Sequence, residues 1–144
     1  MDLESQLRLN RDATQVADFL AGAGGRLVLR DSDPDGLYWV MIAGPDGHAS
    51  FVARIAWNLY PDLPPSVLFA VEAGGATTDT SAWPSAPGYR APTDVCKPFT
   101  AEGQGLHPEW RSGPHVWRTT GNPFLFVVEN LHADIHRAGG RRAA

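Results

Sequence analysis

Cys96 is the side chain in this 144-residue sequence with the strongest chemical potential, and it is the chain's one cysteine. A thiolate is both a strong nucleophile and a good leaving group. At an ordinary cysteine pKa only a few per cent is ionised at neutral pH, so group transfer through Cys96 needs local activation or help from a partner enzyme. Its charged neighbours, Asp94 and Lys97, oppose each other. Eleven positions downstream the string Leu106-His107-Pro108-Glu109-Trp110 brings a base and an acid within one loop. His107 can serve as base or hydrogen-bond donor towards the thiol. Cys96, His107 and Glu109 or Asp94 thus make a Cys-His-acid set suited to acyl transfer or hydrolysis, although no protease-type signature surrounds the cysteine. Other readings compete. A lone cysteine often serves only as a small apolar core residue, and Trp110 could anchor its loop in the core with His107 and Glu109 solvated. Cys96, His107, His115, His132 and His136 also offer nitrogen and sulfur ligands, and His132 and His136 share a helix face. Their spacing matches no known zinc pattern, so the reading calls for no metal and no cofactor.

The elements that must position these groups are legible from periodicity. Leu3, Leu7, Ala13, Val16, Ala17 and Leu20 recur at helical steps and predict a helix from about Asp2 to Ala21, ended by Gly22, Gly24 and Gly25. Asn10 and Asp12 could instead cap a shorter helix starting near Ala13. Leu27–Leu29 and Leu37–Ile42 predict two short strands, with a turn by composition at Asp31–Gly36. Gly44–Gly47 predicts a hairpin leading into a third strand, Phe51–Trp57, whose alternation marks one buried face. Tyr60-Pro61-Asp62-Leu63-Pro64-Pro65 then forms a stiff corner that excludes helix and central strand alike. Val67–Val71 is the fourth strand of an antiparallel meander. Residues 72–115, rich in Gly, Pro, Ser and Thr, show no period, and such a stretch tends to be functional or mobile. Asn122-Pro123 reads as the cap and first turn of a last helix, with Phe124, Val127, Val128, Leu131 and Ile135 on one stripe and Gly139-Gly140 as its end. Trp39, Trp57 and Phe69 fall on strands, while Trp83, Trp110 and Trp117 are expected to pin the irregular segment down.

Composition bounds the rest. The length suits a single α+β domain, here residues 1–138, followed by a disordered tail at 139–144. A net charge of −4 and a pI of about 5.6 argue against a nucleic-acid surface, and Arg141-Arg142 reads as part of the solvated tail. No apolar run reaches the length of a membrane span, and the charged start MDLESQLRLNRD lacks a secretory h-region. A single cysteine, unable to form an internal disulfide, fits a reducing cytoplasm. The wealth of Ala, Gly, Arg and Asp points towards a GC-rich, bacterial type of genome.

The pattern F-x-A-x-I-x-W-x-x-x-Y-P-x-x-P-P-x-V-x-F, from Phe51 to Phe69, resembles the third strand, proline corner and fourth strand of ubiquitin-conjugating enzymes; RWD domains share the corner more loosely. The order of the flanking elements agrees, and Cys96 sits where the family carries its thioester cysteine. The resemblance implies a UBC-like fold: helix, four-stranded meander, an irregular segment carrying the cysteine, then a helix, without the further C-terminal helices usual in the family, since the sequence stops at Ala144. It implies that Cys96 accepts a ubiquitin-like protein from its activating enzyme and passes it on; the residues themselves offer His107 as a base or donor near Cys96, and Glu109 or Asp94 as acceptor of a proton from an incoming lysine, in place of the family's own helpers. The sequence departs from the family in lacking the His-Pro-Asn tripeptide before the cysteine, whose asparagine is an oxyanion donor. Cys96-Lys97-Pro98-Phe99 also replaces the usual Cys-Leu-Asp-Ile. In the first helix Arg8 and Arg11 are offset by Asp2, Glu4 and Asp12, where the family usually shows the activating enzyme a basic face. The missing His-Pro-Asn and the expected lack of the C-terminal helices, with the first helix bearing on the same point, favour an alternative: a non-catalytic binding module of the same fold.

Overall fold

A computed structural model describes residues 1–47 and 50–144. Helix α1 (Leu3–Gly22) is capped by Asp2, whose carboxylate accepts from the Ser5 amide at 2.8 Å. Four antiparallel strands follow in sequential order: β1 (Arg26–Val28), β2 (Leu37–Ala43), β3 (Ser50–Ala56) and β4 (Ser66–Ala70). The last long helix of the fold, Pro123–Arg137, takes its cap from Asn122 and carries Pro123 in its first turn. The α+β architecture and the order of these elements match the sequence expectation, with boundaries shifted by a residue or so.

Period-two alternation divides the sheet into two faces. Val40, Ala53 and Phe69 are cross-strand partners and, with Tyr38, Ile42, Phe51, Ile55 and Val67, form the face beneath the two long helices. Leu9, Val16 and Leu20 of α1 and Phe124, Val127, Val128, Leu131 and Ile135 of the last helix complete that core. Each such side chain contributes on the order of 1.5–3 kcal/mol when fully removed from water. The buried stripe of α1 differs from the expected one at its start. Leu3 and Leu7 are 75% and 59% exposed, whereas Leu9 is fully buried. Leu9, Ala13, Val16 and Leu20 keep three- and four-residue steps; Leu7, two positions before Leu9, points away from them.

The opposite sheet face is thinner. Leu37, Trp39, Val52 and Ala70 form a small second cluster there. Trp39 is buried because the β1–β2 turn folds over it, its indole N–H donating to Asp33 Oδ2 at 2.8 Å while Arg30 pairs with the same carboxylate at 3.4 Å.

The proline corner is a packed element. Tyr60–Pro61 is cis. Trp57 and Tyr60 meet edge to face at 4.7 Å, Phe124 lies 5.6 Å from Trp57, and Trp117 closes over Trp57 with its indole N–H on the Pro61 carbonyl at 2.9 Å. The Tyr60 hydroxyl donates to the buried Asp12 carboxylate and accepts from the Phe124 amide, so the corner, α1 and the last helix are joined at one oxygen.

The segment 72–115 is not structureless. It contains a 3-10 turn at Thr80–Ala82, a hairpin of two-residue strands, β5 (Tyr89–Arg90) and β6 (Asp94–Val95), a short helix α2 (Ala101–Leu106), and a second 3-10 turn at Pro108–Arg111. The last helix is therefore α3. Trp83 pins this segment as expected, being fully buried against Phe69. Trp110 does not reach the core and stays half-buried.

The tail expected to be disordered is seated instead. The Ala143 amide donates to the Trp83 carbonyl at 2.9 Å, and Arg142 lies 4.2 Å over the Phe51 ring and donates to the Ser50 carbonyl at 2.6 Å. A guanidinium over an aromatic face and a backbone bond to the buried Trp83 outweigh the entropy of a short free end. Among the described residues, no helix is long and apolar enough to cross a membrane.

Candidate functional site

The hairpin β5–β6 positions Cys96. Tyr89 and Val95 are paired across it and point into the core, Tyr89 lying 6.0 Å from Phe69. Alternation then puts Arg90 and Asp94 on the opposite side, together with Cys96, the residue after β6. The Cys96 amide donates to the Gly88 carbonyl at 2.7 Å, which fixes the backbone at the cysteine. Gly88 has φ +84°, and a Cβ there would sit 2.8 Å from the Cys96 carbonyl oxygen, so glycine is required by both conformation and space.

Thr100 and Gly103 hold the chain just beyond the cysteine. The buried Thr100 hydroxyl donates to the Val95 carbonyl at 2.6 Å and accepts from the Gly103 amide at 2.9 Å, capping α2. Gly103 lies so close to the Lys97 backbone that a Cβ would come within 2.0 Å of its carbonyl oxygen. On the other flank Asp134 of α3 accepts from the Tyr89 hydroxyl at 2.8 Å and pairs with Lys97 at 3.4 Å and Arg137 at 3.1 Å. Lys97 is thereby drawn towards α3. Cys96 is held on a hairpin braced on both sides, half-buried, and among the described residues its thiol has no hydrogen-bond partner.

The groups proposed as its helpers are engaged with other partners. Arg90 grips Asp94 bidentately, Nε to Oδ1 at 2.7 Å and Nη2 to Oδ2 at 2.6 Å. That fork and the carboxylate charge raise the Arg90 guanidinium above its ordinary pKa, with Cys96 also within electrostatic range. His107 Nδ1 and Glu109 Oε1 are 2.8 Å apart, and the His107 ring stacks on Trp110 at 4.0 Å. This hydrogen bond from His107 holds the Glu109 carboxyl below its usual range. The residue string is thus a local unit: His107 is braced by its own loop, with Nε2 left for another partner. No hydrogen bond joins it to Cys96 among the described residues. What ties that loop to the cysteine segment is Gln104, whose amide donates to the Pro98 carbonyl at 2.8 Å and the His115 carbonyl at 2.9 Å.

The candidate metal donors fall into separate groups. His107 and His115 flank Trp110, while His132 and His136 stack at 4.0 Å on α3, with His136 Nε2 on the Ala43 carbonyl at 2.8 Å. Burial first, and the neighbouring His136 second, hold His132 below its ordinary pKa. Among the described residues, no three His, Cys, Asp or Glu side chains gather to hold an ion.

Sequence reasoning missed Arg90, Thr100 and Gly103. Thr100 with Glu102 in the following turn is a helix-start signal that could have been read; the Gly103 contact carries none, because it is a long-range approach of two backbones. No protein-family model, curated protein or solved structure matches the chain.

Proposed function

We propose that this chain is a ubiquitin-conjugating-enzyme-like protein of UBC-type fold that accepts the C-terminus of a ubiquitin-like protein as a thioester on Cys96 and passes it on. The observation that carries the reading is a half-exposed thiol, free of hydrogen bonds among the described residues, at the end of a braced hairpin beyond the proline corner. In the first step the Cys96 thiolate attacks the thioester carbonyl on a charged activating enzyme, a new C–S bond forms, and the activating enzyme's thiolate leaves. In the second step an acceptor amine attacks the Cys96 thioester, releasing the thiolate and giving up a proton. The thioester broken and the thioester formed are close in energy, and the partner enzyme supplies the proximity that the exchange needs. A reducing cytoplasm would keep Cys96 free for it.

The test is incubation with a candidate activating enzyme, its ubiquitin-like protein and ATP. A reductant-sensitive adduct, absent from Cys96→Ala, is the expected result; its absence with every co-encoded partner tells against the reading.

A specific observation favours a second reading, the non-catalytic binding module. Asp94 is held by Arg90, and His107, paired with Glu109 in its own loop, makes no hydrogen bond to Cys96 among the described residues, which leaves no acceptor held at the thiol for the proton of an attacking lysine. On that reading a ubiquitin-like partner binds without a covalent bond, and Cys96→Ala binds it equally well.

A further inference from the structure

Away from Cys96, on the sheet face not covered by α1 and α3, lies a cavity of about 670 Å³. Its floor is made by Leu37, Arg54 and Ala56 of the sheet. Leu63 and Pro64 of the proline corner form one wall, and Gln104 and Gly105 of α2 form another, with Arg111 beside them. The turn before β2 supplies Asp35 at the remaining side.

The lining is mostly apolar, and Leu63 is 46% exposed within it. A volume in the range of roughly 300–1,000 Å³ with few polar groups is the form of a small-molecule site. Arg54 is what gives the site a chemistry. It sits at the centre of β3, between Trp39 and Leu68 on neighbouring strands. Arg54 is half-buried, and its guanidinium has neither hydrogen-bond nor ion-pair partner among the described residues. Arg30 of the β1–β2 turn and Arg90 of the hairpin, by contrast, are both paired, with Asp33 and Asp94. A fork of donors left open on an apolar floor matches a planar oxyanion. Arg111 adds a second cation whose side chain is likewise uncommitted among the described residues. The two arginines outnumber Asp35 by one charge, which suits a monoanion better than a phosphate dianion.

We propose that this cavity binds a small organic monoanion, with an apolar body over Leu37, Ala56 and Leu63 and a single carboxylate on Arg54 and Arg111. The inference is independent of the chemistry at Cys96.

The test uses the full chain, with 4-phenylbutyrate and its alcohol isostere 4-phenylbutanol as probes, followed by calorimetry or ligand-observed NMR. The acid is expected to bind about tenfold more tightly than the alcohol. Arg54→Gln should erase that difference by weakening the acid alone, and Asp35→Asn should strengthen the acid. Gly105→Leu should block both probes. A Cβ at Gly105 meets nothing within 4 Å, so the backbone there accepts a side chain, and a thermal midpoint no lower than the parent's verifies that the variant is folded. Equal binding of acid and alcohol overturns the proposal, as does an unchanged acid affinity in Arg54→Gln or no binding at the solubility limit. A tripeptide ending in Phe that binds more tightly than phenylbutyrate, and loses affinity when amidated, would reassign the site to protein C-termini and overturn it too.

Discussion

Arg90 closes on Asp94 through both carboxylate oxygens, at 2.7 and 2.6 Å, on the same side of the hairpin as Cys96. Both oxygens of the carboxylate are taken up by the guanidinium, and the pair braces the hairpin. Asp94→Asn is therefore expected to lower the thermal midpoint, because Arg90 loses its charged acceptor and one carboxylate oxygen becomes an N–H donor facing the guanidinium. It should leave the rate of Cys96 alkylation by iodoacetamide within about twofold of the parent, since the charge left unpaired is that of the exposed Arg90, which acts weakly through solvent. Parallel thermal melts and alkylation time courses check both halves.

The Gly103 contact makes a sharper demand. Its missing Cβ lets α2 lie on the Lys97 backbone, where a methyl would come 2.0 Å from a carbonyl oxygen. Gly103→Ala should cost about 1–3 kcal/mol, the range for forcing extra volume into a packed site. Hydrogen exchange should also rise across residues 96–106. Gly105→Ala, two positions on, meets open space and should instead stabilise by about 0.5–1 kcal/mol through helix propensity. Urea denaturation of the pair separates a local backbone requirement from a general intolerance of substitution in α2.

Tyr60 joins three elements through one hydroxyl. Tyr60→Phe removes the donor to Asp12 and the acceptor of the Phe124 amide, leaving a buried carboxylate short of a partner. A loss of about 2 kcal/mol is expected from urea denaturation, in the range for hydrogen bonds to charged groups.

The same hydroxyl predicts an alkaline limb of stability. Burial first, then the hydrogen bond to Asp12, raises Tyr60 well above the ordinary tyrosine value. Burial and the Asp134 charge do the same for Tyr89. The native state thus keeps two protons that the unfolded chain releases above about pH 10. The stability these groups contribute is fully present below that value and is lost as pH rises past it, because the unfolded state binds fewer protons there. Denaturation midpoints between pH 8 and about pH 11 should fall steeply at the alkaline end, and the fall should flatten in Tyr89→Phe.

Much of this frame was legible in the residues. The alternation of Phe51, Ala53 and Ile55 and the stripe from Phe124 to Ile135 are long enough for a period to show, and tertiary packing agreed with them. Residues 72–115 gave no such signal because their elements are two residues long in β5 and β6 and six in α2. They are held by single contacts, such as Trp83 in the core and Thr100 on Val95, not by repeated faces. Leu3 and Leu7 misled for the opposite reason: their spacing is helical, but they lie off the buried stripe. At the site, Cys96 and the His107–Glu109 pair could be named from residue type. Their partners could not, since the Arg90 fork and the seat of Arg142 on Phe51 depend on how the turns close.

The role of Cys96 is tested most directly by the intact mass of the protein after reaction with a charged activating enzyme and quenching without reductant. The account predicts a species heavier by one ubiquitin-like protein less one water, mapped to Cys96, restored to the parent mass by reductant and missing in Cys96→Ala. An unmodified mass under conditions where the activating enzyme is itself fully charged, or an adduct that persists in Cys96→Ala, would contradict it.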